Sequence, residues 1–269
     1  MTTDARAAVA ANPLWYHTLD VAPGVTTPGW FDLRPILDDL PWPDVHGKRC
    51  LDVGTYDGHL AFELERRGAS EVVATDISHH AQWDWPSRIR ARGVAALPVI
   101  AGEKGAGFRT AAQLLGSQAT REEISVYDLT PERVGTFDVV VCGSLTLHLR
   151  DPLRALEAIR SVCTGRFLAA ETLRPQLEAG PLRRRPVAEL DGVSDLCQWW
   201  TPNRAGHRRM VEAAGFDVVE APRPFCIPLG PAHPAPPRTL PVLARAARTY
   251  VAGRGVGVLT GAVLARPAA

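Results

Sequence analysis

The chain predicts an α/β fold: a doubly wound, mostly parallel sheet with an antiparallel C-terminal edge. Three observations carry this expectation. Short apolar strands alternate with helical stretches from residue 49 to about 170, the order that builds a parallel sheet covered on both faces. The first of those strands breaks into a glycine turn, Asp52-Val53-Gly54-Thr55-Tyr56-Asp57-Gly58, directly ahead of a helix. The last helical stretch ends at Gly215 and leads into Phe216–Glu220, for which Gly257–Leu264 is a candidate hairpin partner.

Taken in order, apolar runs define strands at Arg49–Val53, Glu71–Asp76, Phe137–Cys142 and Arg166–Glu171, with a weaker one at Glu123–Asp128 ahead of Leu129-Thr130-Pro131. Helices are expected at His59–Arg67, Pro86–Arg92, Phe108–Leu115, Pro152–Val162 and Asn203–Ala214. Pro152 suits a first helical turn, because the N–H it lacks is one that a helix start leaves unbonded anyway. Two stretches exceed what such a sheet needs, an aromatic- and proline-rich head over residues 12–46 and the segment 172–202. Ligands of open α/β sheets bind outside the carboxyl ends of the strands, so both stretches are expected to fold over that cleft. The organisation read from the sequence is therefore an N-terminal cap, 1–46, and one domain, 47–269, with 172–202 as a cleft-covering insertion. The proline-dense stretch Pro222–Arg238 reads as an extended connection.

A chain of 269 residues can bury one sizeable core. Its net charge of +1 leaves no global basic field to capture nucleic acid, and only Lys48 and Lys104 are lysines among its 30 cationic side chains. Cys50, Cys142, Cys163, Cys197 and Cys226 are widely spaced, odd in number and mostly set in apolar runs. They read as reduced core thiols. No apolar run is long enough to span a bilayer, and Asp4 stands where a secretion signal would be basic, so no membrane partner and a cytoplasmic location are expected.

The glycine turn carries the most chemistry. Gly54 and Gly58 allow backbone close to a ligand, and the helix opening near His59 aims free N–H groups at an anionic group. A dinucleotide fingerprint would read Gly-x-Gly-x-x-Gly, whereas positions 54, 56 and 58 hold Gly, Tyr and Gly. Tyr56 obstructs a close pyrophosphate approach. The turn suits instead a compact zwitterion, the methionyl end of S-adenosylmethionine. Asp76, eighteen residues beyond Gly58 at the end of the second strand, has the reach to accept from both hydroxyls of a ribose.

These residues resemble class I S-adenosylmethionine-dependent methyltransferases, which have a Rossmann-like fold, and within them the branch of tRNA wobble-uridine (5-oxyacetic acid pathway) methyltransferase-like proteins. The resemblance covers most of the chain. Its marks are Trp15-Tyr16-His17, Thr27-Pro28-Gly29-Trp30-Phe31-Asp32, the Asp52–Gly58 turn, Thr75-Asp76 and Trp83-Asp84-Trp85-Pro86. Further along they are Gly135-Thr136-Phe137-Asp138, Leu147-His148-Leu149-Arg150-Asp151-Pro152, Trp200-Thr201-Pro202-Asn203 and Ala214-Gly215-Phe216. It implies S-adenosyl-L-methionine as cofactor more firmly than any acceptor, since the branch holds both tRNA-modifying members and relatives with small-metabolite substrates. One departure is informative. Members that transfer carboxymethyl carry a tyrosine just before the histidine; here that residue is Leu147, and the head has no matching lysine. Methyl transfer from ordinary S-adenosylmethionine is implied.

The cofactor-binding set expected on these grounds is Asp52, Gly54, Gly58, Asp76, Ile77, Tyr127, Asp128, Cys142, Gly143 and Ser144. Each acid has a plainer reading beside it: Asp52 as a turn orienter, Asp76 as a helix cap, Asp128 as a cap for the Pro131 turn. Cys142, Gly143 and Ser144 close the fourth strand, where Gly143 admits backbone carbonyls close to a sulfonium, or simply turns the chain. His148 is a candidate base, with an ordinary pKa of about 6.5 suited to proton abstraction at neutral pH, or a strut that bonds a loop carbonyl. Glu171 is the second candidate for catalysis, or a capping carboxylate. His79, His80 and Asp84 lie close in sequence but without a clean ligand spacing, so no metal is expected. Arg183-Arg184-Arg185 is either an anion contact or a solvated loop face.

The function expected from these residues is O-methylation of a small-molecule acceptor. The alternative is a methyltransferase for a tRNA wobble-uridine derivative. A third reading, from another class, is a nucleoside-binding regulatory protein without chemistry.

Overall fold

The alternation read from the sequence builds one eight-stranded sheet with a small hairpin at each of two covers. The computed structural model describes residues 2–94, 103–234, 247, 249–253 and 255–269. Its elements begin with helix α1 (Thr2–Ala11), the hairpin strands β1 (Asp20–Ala22) and β2 (Val25–Thr26), and then β3 (Arg49–Val53), α2 (His59–Arg66), β4 (Glu71–Asp76) and α3 (Ser87–Arg92). There follow α4 (Ala106–Leu115), β5 (Thr120–Glu123), α5 (Pro131–Val134), β6 (Phe137–Gly143), α6 (Pro152–Val162) and β7 (Cys163–Thr172). The chain closes with β8 (Ala188–Leu190), β9 (Trp200–Pro202), α7 (Arg204–Ala213), β10 (Phe216–Glu220), β11 (Phe225–Ile227) and β12 (Val258–Pro267).

The sheet runs β10-β12-β7-β6-β3-β4-β5, with β11 paired to β12 off this path. The pairs β3/β4, β3/β6, β4/β5 and β6/β7 are parallel, whereas β12 is antiparallel to both β7 and β10. Strand order reverses between β3 and β6, and such a switch point leaves a crevice beyond the carboxyl ends of those two strands. Central burial holds the frame. Phe137, Val139, Val140 and Val141 of β6 have no exposed surface, and full burial of each such side chain contributes about 1.5–3 kcal/mol. The two faces of the sheet belong to separate apolar clusters: Cys50, Val139 and Val141 face one, Leu51, Val53 and Val140 the other.

Helix starts follow the capping chemistry. Asp151 accepts from Arg154 N–H at the head of α6, with Pro152 in its first turn, and Asn203 accepts from Gly206 N–H at the head of α7. All five cysteines are buried and unbridged. Among the described residues no helix is long and apolar enough to cross a membrane.

Two sequence expectations need correction, the weak strand and the proline-dense connection. The weak strand lies at Thr120–Glu123 rather than Glu123–Asp128. Its ladder with β4 ends where Asp76 pairs with Glu123, and the Ser125 hydroxyl then accepts from Tyr127 N–H at 3.3 Å and bends Val126–Asp128 into a 3-10 turn. The sequence Thr-Arg-Glu-Glu is the charged edge that discourages pairing with another chain. The expected pairing of β12 with β10 is present and antiparallel, and β12 also pairs with β7, an interior place that explains its almost wholly apolar sequence. The stretch Pro222–Arg238 contains β11, and its residues 235–238 lie outside the described residues.

The head packs into the body. Trp15, Leu19, Val21, Val25, Ile36, Leu40 and Val45 belong to the same buried cluster as Cys50 of β3 and Ala61, Phe62 and Leu64 of α2.

Candidate active site

The glycine turn is held from below by β4. Gly54 and Thr55 N–H both donate to the Thr75 carbonyl, at 2.8 and 3.1 Å, and Tyr56 N–H donates to Asp76 Oδ2 at 3.0 Å. Tyr56 sits at φ +48, left-handed backbone that a side chain rarely adopts. Gly58, at φ +91, is a sharper requirement: a Cβ there would lie 2.6 Å from the Phe62 ring and 2.7 Å from Phe108.

Two carboxyls sit beneath this turn, and burial pushes both up to about 7. Asp57 Oδ2 accepts from Tyr16 N–H at 2.6 Å and His17 N–H at 3.0 Å, which pins the head onto the turn. Asp52 Oδ2 is buried without a hydrogen bond of ordinary geometry among the described residues, although the Thr55 hydroxyl and the Ala61 N–H face the carboxyl and oppose the upward push of burial. A buried acceptor left in this state points to a donor supplied from elsewhere. The ammonium of a methionyl group, directly or through water, is such a donor, so the residues present fit the group the turn was read to hold.

Asp76 ends β4 as expected. Its Oδ1 accepts from Ile77 N–H at 2.8 Å, and its Oδ2 accepts from Tyr56 N–H and from Lys104 Nζ, the latter at 2.8 Å. Lys104 was not among the residues singled out by sequence. Its ammonium lies 4.0 Å above the Tyr56 ring. The sequence did hold one signal, since Lys104 is one of two lysines in a chain that otherwise uses arginine.

On the other side of the switch point, Cys142 is buried, Gly143 admits a Cβ only 3.0 Å from Leu60, and Ser144 adopts φ +49 while donating its N–H to the Ala170 carbonyl at 2.8 Å. The chain then forms the 3-10 turn Thr146–His148, anchored by Glu171 at the end of β7. Glu171 Oε2 accepts from the Thr146 hydroxyl and from Leu147 N–H at 3.0 Å, and Oε1 accepts from Thr172 N–H at 2.7 Å. Burial raises this carboxyl to about 7. With both oxygens engaged, Glu171 positions the turn that carries His148.

The imidazole of His148 is fixed by the insertion. Its Nδ1 lies 3.0 Å from the Cys197 carbonyl, and its ring is stacked 6.4 Å from that of Trp83. A carbonyl only accepts, so Nδ1 carries the proton and Nε2 of the neutral ring keeps its lone pair. Burial lowers the His148 pKa from its ordinary value. Trp199 N–H donates to the Leu147 carbonyl at 2.7 Å and Trp200 Nε1 to the Arg150 carbonyl at 3.1 Å, so residues 197–200 lie across the turn. Cys197 adopts φ +54, a third strained non-glycine position at the same crevice.

Tyr127 and Asp128 part company. The Tyr127 hydroxyl donates to Asp84 Oδ2 at 2.6 Å, and that oxygen also accepts from Arg150 N–H at 2.7 Å, tying three loops together at the crevice. The Asp128 side chain is 53% exposed and pairs with Arg133 at 3.8 Å. The structure does not bring it against the other residues of the set, because the 3-10 turn that replaces the expected strand end rotates it outward. His80 packs edge-on against Trp83, and among the described residues no three metal-ligating side chains gather.

Comparison with known proteins gives the family and the fold. The family described as "Methyltransferase domain" matches residues 32–221, more than half of the chain. This chain belongs to the methyltransferase-domain family. It is an S-adenosylmethionine-dependent methyltransferase with a Rossmann-like fold. A ubiquinone biosynthesis O-methyltransferase of Paraburkholderia phymatum is 27% identical over 190 residues, covering 69% of each chain. Further relatives of that name match over about half their length. The 1,6-didemethyltoxoflavin-N1-methyltransferase of Burkholderia thailandensis, solved with S-adenosylhomocysteine, shares the fold with TM-score 0.52 at 15% identity, over 83% of this chain and 72% of that one. The [4+2]-cyclase SpnF shares it with TM-score 0.54 at 18% identity, over 99% and 93%. Fold likeness at such identities does not choose the reaction; the family match does.

Proposed function

We propose that this methyltransferase O-methylates a small-molecule acceptor bearing an acidic hydroxyl, with His148 as its proton acceptor. The observation that carries the reading is the contact between His148 Nδ1 and the Cys197 carbonyl, which leaves Nε2 as the basic atom of a ring kept neutral by burial. The O-methyltransferase names of the curated relatives support the same acceptor atom.

S-adenosylmethionine supplies an electrophilic methyl group on a good leaving group, so proximity and in-line orientation contribute most of the acceleration. The chain's own residues do the rest. Asp76 takes the ribose hydroxyls, Asp52 faces the methionyl ammonium, and Gly54 and Gly58 let backbone close on the same end. Glu171 holds the Thr146–His148 turn, and His148 Nε2 accepts the acceptor's proton as the new O–C bond forms. A phenol-like hydroxyl, with a pKa of about 10, suits a neutral imidazole; an aliphatic alcohol does not.

The test is turnover of methyl-labelled S-adenosylmethionine with a panel of phenolic, enolic, amine and aliphatic-alcohol acceptors, run beside bulk tRNA. Label in a phenolic or enolic ether supports the proposal. Label entering only tRNA, with binding that weakens steeply as salt rises, would replace it with the wobble-uridine reading. No turnover with any acceptor alongside tight S-adenosylhomocysteine binding would favour a regulatory protein.

A further inference from the structure

The most deeply buried cation of the crevice sits on the carboxylate assigned to the ribose. The Lys104 ammonium donates to Asp76 Oδ2 at 2.8 Å, lies 4.0 Å above the centre of the Tyr56 ring and 5.7 Å from that of Trp83, and its side chain is 3% exposed. A buried ammonium persists only where a carboxylate and aromatic faces replace its water. This one has all three. Burial lowers the pKa of the neighbouring His17, His80 and His148, and the Lys104 charge lowers each of them further. Tyr56, Asp57, His80, Glu103 and Lys104 itself are among the residues lining a small cavity of about 10 Å³ beside the ammonium, room for about one water.

We propose that Lys104 and the ribose of the methyl donor compete for Asp76, so that the lysine must withdraw before the nucleoside can seat and thereby sets donor affinity. The inference rests on the reading of Asp76 as the ribose acceptor. Two forces act on the exchange. The ribose diol brings two O–H donors to the carboxylate that the ammonium leaves, and the positive sulfur of the donor repels a second cation held in a poorly screened crevice. Apparent affinity is then the intrinsic affinity reduced by the fraction of molecules in which Lys104 has let go. Notably, Tyr56, the residue that departs from a dinucleotide fingerprint, supplies the aromatic face that retains the lysine.

The chain offers a direct test, because Lys48 is its only other lysine and its side chain is 36% exposed. Acylation followed by mass spectrometry, normalised to Lys48, should show Lys104 protected in the protein alone and labelled faster at saturating S-adenosylhomocysteine. Calorimetry should show Lys104→Met, which keeps the apolar stem against Tyr56 and Trp83, binding S-adenosylhomocysteine about tenfold more tightly or better, the gain expected when a competing state populated some ten to one is removed. Equal or weaker binding by Lys104→Met, or Lys104 labelling that does not rise on loading, would overturn the competition. Should that variant not fold, the labelling of the natural chain decides alone. Asp76→Asn separates the underlying reading: if it leaves S-adenosylhomocysteine affinity untouched, Asp76 is not the ribose acceptor, whereas a loss there with no gain in Lys104→Met removes only the competition.

Discussion

His148 illustrates how a residue's chemistry is set by an atom far along the chain. Its Nδ1 partner, the Cys197 carbonyl, lies 49 residues away, and that contact chooses which nitrogen is basic. His148→Ala is expected to lower kcat by roughly 10²- to 10⁴-fold, the usual range for a lost general base, while S-adenosylhomocysteine affinity measured by calorimetry stays unchanged. Because burial moves the imidazole below its ordinary 6.5, kcat should be level through neutral pH and fall only on the acid side; an acid limb centred above 6.5 would contradict the assignment. Glu171 makes the opposite kind of prediction. Its folded pKa of about 7 is raised above the ordinary 4.5, so the stability it contributes is fully present below the ordinary value and is lost as pH rises through about 7. Glu171→Gln, an isostere that cannot ionise, should therefore gain in melting temperature relative to the natural chain between pH 5 and pH 8. Asp52, Asp76 and the glycines were legible from spacing alone, since a strand end and the turn after it are local features. Lys104 and Asp57 were not, because their partners stand 28 and 41 residues away.

Among the elements, the turn from β3 into α2 is the most tightly specified. Gly58 combines left-handed backbone with a Cβ position 2.6 Å from an aromatic carbon. Gly58→Ala is expected to destabilise by about 2–5 kcal/mol, the backbone cost of the left-handed region plus overpacking against Phe62 and Phe108. Urea denaturation of the variant gives this directly, and a change under 1 kcal/mol would show that the turn can relax. The parallel strands β3, β4, β6 and β7 could be placed from their apolar runs because strands buried on both faces have nothing else to be. β5 could not. It is an edge strand of charged residues whose end is decided by the Ser125 hydroxyl and by where β4 stops, neither of which shows as periodicity.

For the molecule as a whole, the head tests whether a cap defined by sequence is a separable part. Trp15 and its apolar neighbours share one buried cluster with α2, and Asp57 accepts two head N–H groups. Removal of residues 1–46 is expected to abolish cooperative thermal unfolding, read by circular dichroism, rather than to leave an open-clefted enzyme. A soluble 47–269 fragment with a sharp transition would refute this. The amino-acid order by itself determined the sheet class and the places of the glycine turn, the acid that ends β4 and the histidine beyond β6, because each depends on residues near one another in the chain. Only the tertiary structure decided that Glu171 accepts hydrogen bonds from the Thr146–His148 turn, that Asp128 faces solvent, that His148 Nδ1 meets the Cys197 carbonyl and that Lys104 sits on Asp76. Those outcomes depend on which distant groups share a buried space, where an unpaired charge or polar atom is too costly to leave alone.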